Sequence, residues 1–92
     1  MNLIELNSMI AFCHDNNVFV TAEYFPSTKF IKGEKFEGNK WYIKVSHPFG
    51  DIIYNKPVAD GYAINSEDNK EVYEAKIKTY LYFYKQLKDD KY

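Results

Sequence analysis

The chain has 92 residues and a formal net charge of -1, with 46% hydrophobic and 27% charged residues. That length supports one domain around one core, and the mean hydropathy of -0.52 belongs to a soluble globular protein, not a membrane-embedded one. A near-neutral chain also lacks the overall positive field of a general nucleic-acid binder.

Two counts stand out: aromatic residues reach 18%, and all 12 basic residues are lysine. Lys, Asn, Ile, Tyr and Phe have A/T-rich codons and most arginine codons are G/C-rich, so the composition matches the vocabulary of an AT-rich genome. Codon supply therefore accounts for the aromatic excess as well as selection for a binding surface does. Charge is polarised along the chain. Residues 1–28 sum to -3 (Glu5, Asp15, Glu23), while residues 29–47 sum to +3, with five lysines against Glu34 and Glu37.

In chain order, Leu3, Leu6, Met9, Ile10 and Cys13 fall within a stripe of about 120° at helical spacing, which predicts a helix over residues 3–15. Asn2 with Glu5 resembles a capping box, and Asn16 and Asn17 suit the left-handed conformation that stops a helix. Ile4 and Phe12 lie off the stripe and are expected to pack against another element. Residues 18–25 alternate, with Val18, Val20, Ala22 and Tyr24 on one face, the pattern of a strand. Residues 29–37 and 40–47 read as a β-hairpin about Gly38 and Asn39, pairing Phe36 with Trp41, Glu34 with Ile43 and Lys32 with Val45. That register buries Phe30, Phe36, Trp41, Ile43 and Val45 and turns Lys35, Tyr42 and Lys44 outward. A short strand is expected at Ile52–Tyr54 and another at Tyr62–Ile64. From Asp68 the period becomes 3.6: Val72, Tyr73, Ile77, Tyr80, Leu81, Phe83, Tyr84 and Leu87 form a broad apolar face, with Asp68 and Glu71 as a second capping box.

The expected architecture is α+β: an N-terminal helix, an antiparallel sheet of three to five strands, and a long C-terminal helix packed on one sheet face. This element order is similar to that of the double-stranded-RNA-binding domain. The basic entry to that domain's second helix has no counterpart at Asn69, Lys70, Glu71 and Val72.

The residues offer little chemistry. Gly33, Gly38, Gly50 and Gly61 never approach a phosphate-binding spacing. Cys13 and His14 are neighbours that diverge by about 100° on a helix and His47 stands alone, so no metal site and no cofactor is expected. Cys13 lies on the apolar stripe near a helix C-terminus, where the dipole disfavours a thiolate, and reads as a buried, inert thiol. His14 and His47 belong to no catalytic motif, and Asp51 and Asp60 flank turns where Asp bonds the backbone. The chain is expected not to be an enzyme. One cysteine, no secretory leader and no apolar run of membrane-spanning length read as cytoplasmic.

Two surfaces remain. On the terminal helix Tyr82 projects away from the apolar face beside Lys78 and Gln86, and tyrosine gives large contact area at small entropic cost. This supports a small non-catalytic protein-binding module, such as a regulator or inhibitor of a host protein encoded by a phage or mobile element. The alternative is a nucleic-acid-binding domain using the basic aromatic hairpin of residues 29–47, with Lys35, Tyr42 and Lys44 outward. The lack of arginine's planar fork there favours backbone contact over base reading.

Overall fold

A computed structural model of the chain describes residues 2–62 and 69–89. The fold is α+β, with elements α1 (Leu3–Asp15), β1 (Phe19–Phe25), β2 (Lys29–Ile31), β3 (Glu34–Phe36), β4 (Lys40–His47), β5 (Gly50–Ile53), β6 (Ala59–Asp60) and α2 (Lys70–Lys88). Four strands make one antiparallel sheet with β4 at its centre. β1 runs along one side of β4, and β5 and β6 lie end to end along the other.

Both helices begin on an asparagine. The Oδ1 of Asn2 accepts from the Glu5 N–H at 2.8 Å and its Nδ2 donates to Glu5 Oε1 at 3.1 Å, a reciprocal cap. Asn17, at φ 61°, turns the chain out of α1. The cap of α2 is Asn69, whose Oδ1 accepts from the Val72 N–H at 3.2 Å. The capping box expected at Asp68 lies outside the described residues, as do residues 63 and 64 of the expected fifth strand; Tyr62 is not in a strand. Of the residues off the α1 stripe, Phe12 meets the Tyr84 ring edge-on at 5.4 Å, while Ile4 stays exposed.

The sheet buries residues on both faces. On the helix face Val20, Ile43 and Val45 pack with Met9 and Cys13 of α1 and Tyr80 and Phe83 of α2, and Trp41 packs with Ala59 and Val72. On the opposite face Phe25, Tyr42 and Phe36 form a second cluster with ring centroids 5.0–5.4 Å apart.

That second cluster corrects the expected hairpin. β4 pairs not with residues 29–37 but with β1, in the register Val20 to Val45, Ala22 to Ile43 and Tyr24 to Trp41. The tight turn falls instead at Lys32 and Gly33, with φ 51° and 83°, the double positive φ of a two-residue hairpin loop; it joins β2 to β3. Pairing β4 with β1 lets two alternating strands bury their common face under both helices, and the short β2–β3 hairpin is left to close the other face. Phe36 therefore lies across the sheet from Trp41, Phe30 is 71% exposed, and Tyr42 is buried rather than outward.

A polar group inside the helix-face core secures the outer edge of β1. The Val20 N–H donates to Tyr80 Oη at 3.1 Å, and Tyr80 O–H faces the Val20 carbonyl at 3.3 Å. His14 Nε2 lies 2.9 Å from the same hydroxyl, and all three bonds are satisfied when His14 carries its proton on Nε2. Beside it, burial pushes the Cys13 thiol from 9.0 up to about 11 and raises the Tyr80 phenol. Each group then holds its proton longer folded than unfolded. Its contribution is complete below the unfolded value and is lost as pH rises toward the folded one. Stability in urea should accordingly decline between pH 9 and 11, less steeply in Cys13→Ala, and Cys13 should resist thiol reagents at pH 8 until the protein unfolds.

Candidate functional site

A depression bordered by two exposed tyrosines lies between α2 and the chain that follows β5. Tyr54, Lys78, Thr79 and Tyr82 line a hollow of about 390 Å³. It adjoins a second of about 580 Å³ that shares Tyr54, Lys78 and Thr79 and adds Ile43, Lys56, Pro57, Val58 and Ala75. Helical spacing explains the α2 side. Ala75, Thr79 and Tyr82 flank the buried row of Val72 and Phe83 on one side, whereas Ile77, Leu81 and Tyr84 flank it on the side toward α1.

Tyr82 is 58% and Tyr54 41% exposed. Burial, with Tyr82 close by, holds the Tyr54 phenol above its ordinary pKa. Lys56 and Lys78 are exposed and make no ion pair among the described residues. The groove is therefore an apolar floor with two tyrosine rims and two exposed lysine ammonium groups. Of the expected protein-binding residues, Tyr82 and Lys78 meet in it, while Gln86, one turn further along, is half-buried and does not line it. Tyr54, Lys56, Pro57 and Val58 are new. In the sequence they showed only as a strand end and a proline break, because nothing local places them against a helix some 20 residues away.

The surface expected for nucleic acid is largely spent on the fold. The Tyr42 ring is buried and its hydroxyl donates to the Glu37 carbonyl at 2.8 Å, so it presents no stacking face. Lys44 stands 3.8 Å from Asp51, Lys40 bonds Asp60 at 2.6 Å, and the Lys29 ammonium sits 5.1 Å over the Phe25 ring. Lys35 remains exposed beside its cross-strand partner Phe30 on the outer face of the hairpin.

No three His, Cys, Asp or Glu residues gather where they could hold a metal among the described residues, and no described helix is long and apolar enough to cross a membrane. Comparison with protein-family models, with curated proteins and with solved structures finds no match to the chain.

Proposed function

We propose that this protein is a small non-catalytic protein-binding module, a regulator or inhibitor type of domain, that engages its partner in the groove between α2 and residues 54–58. The observation that carries this reading is the convergence on one apolar hollow of two half-exposed tyrosines and two exposed lysines that make no ion pair among the described residues. Rigid aromatic rims beside a buried floor are the usual anchors of a protein interface. The positive edge selects a partner surface with acidic side chains and speeds the encounter. Tyr82→Ala should raise the dissociation constant by about tenfold or more, and Lys78→Glu should slow association and weaken the salt dependence. The measurement is quantitative capture from the native host on wild-type and variant baits, followed by titration of the proteins that the wild type enriches. A captured set unchanged by both variants would remove the groove from consideration.

A second reading keeps the hairpin as a nucleic-acid contact, supported by exposed Phe30 beside Lys35 and Lys32. It predicts that Lys35→Ala weakens binding to generic duplex or single strands and lowers the salt slope by about one, while Tyr82→Ala leaves it unchanged.

A further inference from the structure

The outer edge of β5 meets the groove at Tyr54 and poses a separate question of pairing. Tyr80 holds the Val20 N–H and carbonyl on the far side of β1. Antiparallel alternation then turns the backbone groups of Trp41, Ile43 and Val45 in β4 toward β5 and β6. The bonds agree: Tyr54 N–H donates to the Ile43 carbonyl at 3.0 Å and Val58 N–H to the Trp41 carbonyl at 2.9 Å. By the same alternation Gly50, Ile52 and Tyr54 bond to β4, and Asp51 and Ile53 direct their N–H and C=O groups away from the sheet. Four outward backbone groups in a segment without proline, lysine or bulge form a template for another strand.

We propose that this edge pairs antiparallel with β5 of a second copy, making a twofold dimer with one continuous sheet. One symmetric register uses all four outward groups of both copies, that in which Asp51 exchanges bonds with Ile53 of the second copy. Ile52 then faces Ile52 of the second copy, and Tyr54 faces Gly50, which has no side chain to meet the ring. Charge permits the approach. Asp51 falls beside an isoleucine and is accompanied by its own Lys44 at 3.8 Å. Lys56 and Lys78 sit at the Tyr54 end of the strand. The two Tyr54 ends lie about 14 Å apart along the ladder, beyond a Debye length of about 8–10 Å.

Ile52 is 38% and Tyr54 41% exposed along this edge. With the strand backbones these side chains make a contact at the small end of specific interfaces. The dimer is accordingly weak, with a dissociation constant of about 10–100 µM.

Sedimentation equilibrium of the full chain from about 5 to 500 µM should show the mass rising from 10.9 kDa toward twice that value. Ile52→Lys should melt like the wild type and stay monomeric throughout. The register is read by cysteine pairing, since Cys13 is buried and does not compete. Ile52→Cys places like positions about 4.5 Å apart between Cα atoms, within disulfide range, and should cross-link readily under mild oxidation. Asp51→Cys places them about 7–8 Å apart and should cross-link at least about tenfold more slowly. A monomer at every concentration overturns the dimer, and equal cross-linking of the two cysteine variants overturns this register. Tyr54 is common to both surfaces, so the groove is tested apart from the dimer, through Tyr82 and Lys78 at concentrations where the chain is monomeric.

Discussion

Tyr42→Ala should destabilise the protein by about 3–5 kcal/mol, a large part of what a domain of this size has. Tyr42 is fully buried, and its ring touches both Phe25 and Phe36, so truncation removes the centre of the cluster under the β2–β3 hairpin. Tyr42→Phe keeps the ring and loses only the bond to the Glu37 carbonyl, which should cost about 1 kcal/mol. Urea denaturation followed by Trp41 fluorescence separates the two. A loss below about 1 kcal/mol for the alanine variant would return Tyr42 to the solvent face. The same variant matters to function, because an outward Tyr42 is what a stacking hairpin requires.

Gly38→Ala is expected to be the costliest of the glycine substitutions. A Cβ there would stand 2.6 Å from Ser27 Cα and carbonyl carbon and 2.7 Å from the Thr28 nitrogen, all backbone atoms that cannot rotate aside. Its N–H also donates to Thr28 Oγ1 at 3.2 Å, so the β3–β4 link and the β1–β2 link are held together at this point. The strain should reach the upper end of about 1–3 kcal/mol. At Gly33, where φ is +83° and nothing lies within 4 Å, asparagine tolerates the left-handed turn and should cost less than about 1 kcal/mol. Thermal melts of both variants give the comparison, and equal losses would show that the contact at Ser27 is not what requires Gly38.

The helices were legible because their signals are local. The stripe from Leu6 to Cys13, the asparagine that caps α1 and the 3.6-residue period from Val72 to Leu87 all act over one or two turns; the cap of α2 at Asn69 was not read. The alternation of β1 was legible for the same reason, and so was the burial of Cys13, which lies on the apolar stripe. The hairpin was not. Gly38 and Asn39 and the pair Lys32 and Gly33 both suit a tight turn, and periodicity alone does not say which strand β4 chooses. Long-range burial decided it, by matching β4 to β1 under the helices and assigning the β2–β3 hairpin to the second face.

The candidate groove divides in the same way. Tyr82 and Lys78 stood out in the sequence because helical geometry turns them from the apolar row. Tyr54, Lys56 and Pro57 did not, because a residue following a strand acquires meaning only from the element laid beside it. By itself, then, the sequence determined the α+β class, the Asn2 cap, most of each helix's buried row, though not at Leu3 and Tyr73, and the exposure of Tyr82. The tertiary structure alone decided that Tyr42 is core, that Lys44 and Lys40 are engaged within the fold, and that a tyrosine from α2 meets a tyrosine at the end of β5. Local patterns fix which face of an element is apolar, and only the packing of elements distant in sequence fixes what that face meets.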